Sequence, residues 1–178
     1  MTRRGYVMIA TVSVLGIAAV SVGPIAPKLV WSATASVPIG LYLIAPSETL
    51  ALNDLVAVMP PEPFAGFMVE RGYIARDTPI LKHVMGLPGQ RVCRTGRNVT
   101  IDANPLGEAR ERDSRGRDLP VWQGCRQLAD GNIFLMNPQV GDSLDGRYFG
   151  PFPASSVIGR AVPILTLTDG TGRLNWRG

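Results

Sequence analysis

Two polar residues in apolar surroundings have the chemical types needed for nucleophilic catalysis. Ser36 lies in the stretch 34–42, where Pro38 and Gly40 favour a sharp turn and disfavour a helix. Lys82 is the one charged residue of the apolar segment 79–85. A serine hydroxyl is a weak nucleophile until a base removes its proton, and a desolvated lysine has a pKa low enough to be that base. We therefore take Ser36 as the candidate nucleophile and Lys82 as its candidate base.

Each of these residues also has a purely structural interpretation. A serine in front of Val-Pro can be an ordinary linker residue, and a lysine at a strand edge can extend to water or prevent edge pairing. The chain's one histidine, His83, is the other candidate base. It directly follows Lys82, so on a strand its side chain would face the opposite side. We interpret His83 as a structural imidazole.

The charge distribution argues against nucleic-acid binding. The chain has 178 residues, a formal net charge of +4 and a pI of about 9.5. However, the basic residues are spread along the sequence, and the arginine-rich stretch 107–118 carries acidic residues as well. A nucleic-acid interface usually needs a basic stripe interleaved with aromatic residues. We expect no nucleic-acid partner, and we interpret residues 107–118 as a solvated loop.

The two cysteines, Cys93 and Cys125, permit one disulfide if the domain lies outside the cytoplasm. Such a bridge would close a loop of about 30 residues and add roughly 3 kcal/mol in the chain-entropy model. The alternative is two unrelated buried thiols. The cysteine spacing and the single histidine match no zinc motif, so we expect no metal and no cofactor.

The N-terminal segment 1–28 predicts a membrane anchor. Two arginines precede an almost uncharged stretch, 6–27, which is just long enough to span a bilayer core. The positive charges place the N-terminus in the cytoplasm and the following domain on the outer side. The alternative is a cleavable signal peptide with small residues at Ala18, Ala19 and Ser21. We favour the anchor because no clean A-x-A site ends the apolar run.

Residues 29–178 read as one mainly β domain. Short apolar runs are separated by turn residues, and the 20 glycines and 15 prolines favour turns over long helices. The candidate strands are 41–44, 54–59, 79–85, 90–93, 98–101, 133–136 and 156–162. Residues 68–75 are compatible with one helical turn or a strand. We expect a long polar excursion over 104–124 and a frayed tail from Thr168.

Four motifs, in this order, carry a family resemblance. They are the stretches 36–42, 53–58, 81–89 and 141–150, the last followed by 157–161. With them the chain resembles the signal peptidase I family of Ser/Lys proteases, and most closely its conjugative-transfer, TraF-type branch. General signal peptidases have proline three residues after the serine, whereas here it follows at two. The resemblance implies a signal-peptidase-like β-barrel or sandwich with an N-terminal transmembrane helix.

The same resemblance implies roles for individual residues. Ser36 would attack the scissile carbonyl with the lysine as general base. The backbone N–H of Ser36 and the hydroxyl of Thr34 would stabilise the oxyanion. Ser143 falls where the family has a serine that orients the lysine amine. Asp145 and Arg147 fall on an ion pair that supports the loop beside the site.

The resemblance also implies a substrate and a location. The substrate would be an exported pilin precursor, cleaved or joined into a ring by a peptidase in the bacterial inner membrane with its catalytic domain in the periplasm. Further partners would be membrane lipid, through the N-terminal segment, and proteins of the conjugation apparatus. Two alternatives stay open: a non-catalytic anchored β-domain that serves as a scaffold, and a general signal peptidase.

Overall fold

The computed structural model describes residues 3–21, 28–167 and 173–176, and it is mainly β, as the sequence predicts. The helices are α1 (Arg3–Ser21), α2 (Phe64–Glu70) and α3 (Gly146–Phe149). The strands are β1 (Leu29–Ser32), β2 (Gly40–Ala45), β3 (Leu55–Val58), β4 (Ile80–Gly86), β5 (Arg91–Thr95), β6 (Asn98–Ile101), β7 (Asn104–Glu108), β8 (Gly124–Gln127), β9 (Asn132–Met136), β10 (Phe152–Pro153), β11 (Val157–Leu167) and β12 (Leu174–Trp176).

The strands form two antiparallel sheets. The larger sheet has eight strands in the order β1-β2-β11-β3-β4-β9-β10, and β12 pairs with β11. The smaller sheet has the order β7-β6-β5-β8. Cys93 of β5 lies opposite Cys125 of β8, and the two form a disulfide with a Cα–Cα distance of 4.0 Å. The disulfide therefore joins adjacent strands of the smaller sheet.

Three apolar clusters form the core. The largest packs α2 and α3 against β3, β4 and β9, with Val56, Val84 and Leu135 fully buried. A second fills the space between the smaller sheet and β9, around Phe134. A third lies under the β1–β2 connection. These clusters make β3, β4 and β9 a packed platform, because every residue of the three strands is buried or half-buried.

The structure settles one open local alternative and corrects several local expectations. The ambiguous stretch 68–75 contains the end of α2, and the polar excursion 104–124 contains β7. Strand β11 continues to Leu167, because its C-terminal half pairs with β2. The predicted frayed tail includes β12, while residues 168–172 lie outside the described residues. Pairing with neighbouring strands gives β7, the end of β11 and β12 a regular structure that their own sequences do not signal.

Part of the predicted anchor, residues 3–21, forms α1, while residues 22–27 lie outside the described residues. Among the helices described, none combines the length and hydropathy needed to cross a bilayer.

Residues 107–118 are not simply solvated, in contrast to the expectation from their charge. The side chain of Asp113 accepts hydrogen bonds from the Tyr73 hydroxyl and from the Arg117 backbone and guanidinium. Arg117 also donates to the carbonyl of Arg71, and Arg71 donates to the carbonyl of Asp118. These contacts attach the loop to the segment that follows α2.

Candidate active site

Ser36 lies in the loop that joins β1 to β2. Ser32 pairs with Gly40 at the base of this hairpin, so residues 33–39 form the connection. Val37 anchors the loop in the third apolar cluster, and the Tyr42 hydroxyl donates to the carbonyl of Pro38 at 2.6 Å. The loop therefore has a fixed shape on its core side, while Ser36 is half-buried on the other.

Gly40 is required where the loop meets the sheet. A Cβ at this position would lie 2.1 Å from the carbonyl oxygen of Leu165 on β11. Any side chain would push the two strands apart, and the amide of Leu167 could not donate to the carbonyl of Ile39 as it does at 2.8 Å. The Pro-Ile-Gly part of the motif thus serves the close packing of the Ser36 loop on β11.

Lys82 lies in β4, between β3 and β9, and only 4% of its surface is exposed. It pairs across the sheet with Val56, which is fully buried. Its Nζ donates a hydrogen bond to Ser143 Oγ at 2.6 Å. Burial lowers the pKa of Lys82 to about 8, with Asp145 raising it and Arg147 lowering it to smaller extents. At pH 7 about one lysine in ten is then neutral, against about one in 3,000 at its ordinary pKa.

Both residues line one cavity of about 350 Å³. Thr34 and Ser143 line it too, and its walls are largely apolar side chains from β1, α2, β4 and the segment after α2. Ser36 Oγ is 3.0 Å from Thr34 Oγ1, a hydrogen bond in which either hydroxyl can be the donor. Among the hydrogen bonds of the described residues, none joins Ser36 Oγ directly to Lys82 Nζ.

Asp145 and Arg147 form a buried ion pair below the loop that carries Ser143. Their side chains are 0% and 1% exposed, and two nitrogens of the guanidinium contact the two carboxylate oxygens at 2.9 Å. Arg147 also donates to the carbonyls of Val140 and Ser143. Because the guanidinium binds the loop's own backbone, the ion pair holds Ser143 in place.

Gly146, between these two charged residues, allows α3 to pack closely on β9. A Cβ there would lie 2.8 Å from the carbonyl oxygen of Leu135 and 2.6 Å from the ring of Phe134.

His83 faces away from the cavity. Its Nδ1 lies 3.0 Å from Asn137 Oδ1, and it is not among the cavity-lining residues. The structure places it where the sequence predicts a structural imidazole, on the other side of β4 from Lys82. Within the described part of the chain, no group of three or more His, Cys, Asp or Glu side chains could hold a metal ion.

Two features of the site were missed by sequence reasoning. Asn137, buried at the end of β9, contacts the backbone on both sides of Lys82. Tyr73, which lines the cavity, is held by Asp113 from the arginine-rich loop. The Asn-Pro dipeptide directly after a buried strand could have signalled the first. Nothing local signals the second, because Tyr73 and Asp113 are 40 residues apart.

Comparisons with known proteins show the family of the chain. A family described as "Signal peptidase, peptidase S26" matches residues 3–166. A probable conjugal transfer protein TraF from Sinorhizobium fredii is 35% identical over 143 residues, which are 75% of this chain and 74% of the relative. A conjugal transfer protein TraF from Agrobacterium tumefaciens is 30% identical over 93% of this chain and 98% of its own length.

Among solved structures, a signal peptidase I from Enterococcus faecalis is 19% identical, with a TM-score of 0.39, over 65% of this chain and 98% of that one. The family match covers nearly the whole described chain, and the relatives match most of their own length. The chain therefore belongs to the signal peptidase S26 family and is of the TraF type.

Proposed function

We propose that the protein is a serine endopeptidase in which Ser36 is the nucleophile and Lys82 the general base. The observation that carries the proposal is the placement of Lys82. Its amine is buried among apolar side chains and donates to a neutral hydroxyl, and Lys82 lines the same cavity as Ser36. Its side chain forms no ion pair with a carboxylate among the described residues, so its neutral form is accessible near pH 8.

The reaction then follows from the two side chains. Neutral Lys82 takes the proton of Ser36 Oγ as the oxygen attacks the scissile carbonyl, and an acyl-enzyme forms when the amine leaving group receives that proton. Water or a second amine then attacks the ester, its proton passes through Lys82 to Ser36 Oγ, and the bond between the acyl carbon and Oγ breaks. In the structure Ser36 Oγ is hydrogen-bonded to Thr34 and Lys82 Nζ to Ser143. The contact between Ser36 Oγ and Lys82 Nζ would therefore form when substrate enters the cavity.

Thr34 would support the oxyanion. Its Oγ1 lies 3.0 Å from Ser36 Oγ, close enough to donate to an oxygen that develops beside the nucleophile. The backbone N–H of Ser36 would be the second donor. Loss of one such donor typically raises the barrier by about 2.7–4 kcal/mol. Ser143 would keep the amine of Lys82 oriented, since its Oγ accepts a hydrogen bond from Nζ at 2.6 Å.

The substrate would be an exported pilin precursor of a conjugation system. Two relatives are named as conjugal transfer proteins, and the motif order resembles the pilin-maturation branch of the family. An apolar cavity beside the nucleophile suits an extended peptide with small apolar side chains. In this proposal the N-terminal segment anchors the enzyme in the inner membrane, and the domain acts in the periplasm, where the Cys93–Cys125 disulfide is stable.

The test is cleavage of a purified pilin precursor by the wild-type enzyme, by Ser36→Ala and by Lys82→Met, followed by mass spectrometry. Both variants should be inactive while the circular dichroism and the melting temperature show a folded protein. Processing at the wild-type rate by either variant would refute the mechanism and favour a scaffold role. An ordinary secretory precursor, offered in parallel, separates a general signal peptidase from a pilin peptidase.

The same spectra distinguish hydrolysis from ring formation. A linear product contains the water that resolved the acyl-enzyme, whereas a cyclic product is lighter by one water because its own N-terminal amine attacked instead.

A further inference from the structure

Asn137 is buried beside the candidate base without touching the nucleophile. Only 2% of its surface is exposed, and it directly follows β9. Its amide Nδ2 donates to the carbonyl of Leu81 at 3.1 Å, and its Oδ1 accepts from the backbone N–H of His83 at 3.2 Å. The amide thus holds the main chain on both sides of Lys82.

The backbone of β9 cannot supply a donor for the Leu81 carbonyl. The β4–β9 register pairs His83 with Met136 and Val84 with Leu135, and its continuation would place Leu81 opposite Pro138. Proline has no N–H to donate, so the ladder ends there. The side chain of Asn137 replaces the missing donor, so the buried Leu81 carbonyl keeps a hydrogen-bond partner.

The main chain of Asn137 is hydrogen-bonded to the ion pair that supports the Ser143 loop. Its N–H donates to Asp145 Oδ2 at 3.1 Å, and its carbonyl accepts from Arg147 at 3.3 Å. Its Nδ2 is also 3.5 Å from Ser143 Oγ. One residue therefore connects the strand that carries Lys82 to the loop that carries Ser143.

We infer that Asn137 is a positioning residue that fixes the separation and orientation of Lys82 Nζ relative to Ser143 Oγ, an inference that rests on the proposed Ser36–Lys82 mechanism. Without the amide, the hydrogen bond from Lys82 Nζ to Ser143 Oγ would remain, but the backbone of β4 on either side of Lys82 would lose its link to the Ser143 loop through Asn137. A displacement of about 1 Å of a catalytic group can cost about 10²-fold in rate.

The groups around Lys82 determine how a looser site would change the pH dependence of the reaction rate. The charged and titratable groups on the elements packed around it are Asp142 and Asp145 of the loop, Arg147 of α3, His83 of its own strand and Tyr73 across the cavity. Strand β3 presents the apolar Val56. A looser site would admit water to the amine, so the acidic limb of the pH–rate profile would move to higher pH, toward lysine's ordinary range.

The experiment compares Asn137→Leu, which has a similar size and no hydrogen bonds, with Asn137→Ser, whose hydroxyl is too short to bridge both backbone groups. Asn132→Leu, the same change at the other end of β9, is the matched control. For each full-length enzyme we would measure kcat and KM for precursor cleavage, count active sites with an acylating inhibitor, and record kcat/KM against pH.

We expect kcat per titrated site to fall about 10²-fold in Asn137→Leu and about 10-fold in Asn137→Ser, with KM nearly unchanged and the acidic limb moved upward in both. Asn132→Leu should behave as the wild type. A purely structural residue would reduce the number of active sites but not their turnover or their pH profile, and that result in either folded variant would overturn the inference. Activity in Ser36→Ala, measured alongside, would instead refute the proposed function.

Discussion

Replacing the candidate base should make the protein more stable while it abolishes activity. Burial lowers the pKa of Lys82 from 10.5 to about 8, which means that folding removes a charged amine from water without full compensation. At 1.36 kcal/mol per pKa unit, the cost to the folded state at pH 7 is about 3 kcal/mol. Lys82→Met has nearly the same shape and carries no charge, so it avoids this cost.

One interaction opposes the gain. The hydrogen bond from Nζ to Ser143 Oγ is lost, and a typical hydrogen bond contributes about 1 kcal/mol. The net effect of Lys82→Met at pH 7 is therefore a rise of about 2 kcal/mol in the free energy of unfolding. For a domain of this size, such a change raises Tm by several degrees.

The stability difference between Lys82→Met and the wild type should depend on pH. Between pH 8 and 10.5 the unfolded chain binds more protons at this lysine than the folded protein does, so wild-type stability rises with pH in that window. The advantage of Lys82→Met should thus be full below pH 8, shrink as the pH rises and reach zero near pH 10, above which the lost hydrogen bond leaves the variant less stable by up to about 1 kcal/mol. Other titrating groups are shared by the two proteins and cancel in the difference.

The assay is urea unfolding of wild type, Lys82→Met and Ser36→Ala at pH 7 and at pH 10. Ser36→Ala serves as the control because it is expected to be inactive and keeps the buried amine. The reasoning is refuted if Lys82→Met is less stable than the wild type at pH 7, or if the difference between the two is the same at both pH values.

Three further predictions concern an ion pair, the disulfide and a hydrogen-bonded carboxylate. Arg147→Met should lower the free energy of unfolding by about 3–5 kcal/mol in urea titrations, because it leaves the Asp145 carboxylate buried and unpaired, and adding Asp145→Asn to it should recover part of the loss. Reducing the Cys93–Cys125 disulfide should cost roughly 3 kcal/mol, measured by unfolding with and without reductant, and should leave the kcat of the folded enzyme unchanged. The Tyr73 and Arg117 hydrogen bonds hold the pKa of Asp113 far below its usual range, so Asp113→Asn should lower Tm at pH 7; the difference should fade as the pH falls below about 4.

The sequence could predict the site residues whose motifs are short and local. A serine ahead of Pro-Ile-Gly and a lysine between aliphatic residues are visible in linear order, and the structure places Ser36 and Lys82 on one cavity. The buried strand at 133–136 was equally visible, since an uninterrupted apolar run predicts a strand covered on both faces. Each of these features depends on immediate neighbours in the chain.

What could not be predicted depends on pairing between distant segments. The amide of Asn137 has a role only because β9 lies beside β4 and ends two residues before a proline. Asn137 is 56 residues from Leu81 in the sequence, so no local pattern joins the two. The arginine-rich loop appears solvated when its charges are counted, since nearly equal numbers of both signs suggest no preferred partner. In the fold, Asp113 instead binds Tyr73 on the cavity wall.

The Asp145–Arg147 pair supports the site while its two charges act in opposite directions on the pKa of the base. Asp145 favours the charged form of Lys82, Arg147 disfavours it, and desolvation exceeds either effect, so the pKa of the lysine is set mainly by burial. A lone carboxylate at this depth would stabilise the ammonium and prevent its use as a base. A lone guanidinium would be costly to bury and could not hold the loop as firmly. A buried ion pair therefore suits this position, because it can fix Ser143 through the loop backbone and still leave the nearby amine free to lose its proton.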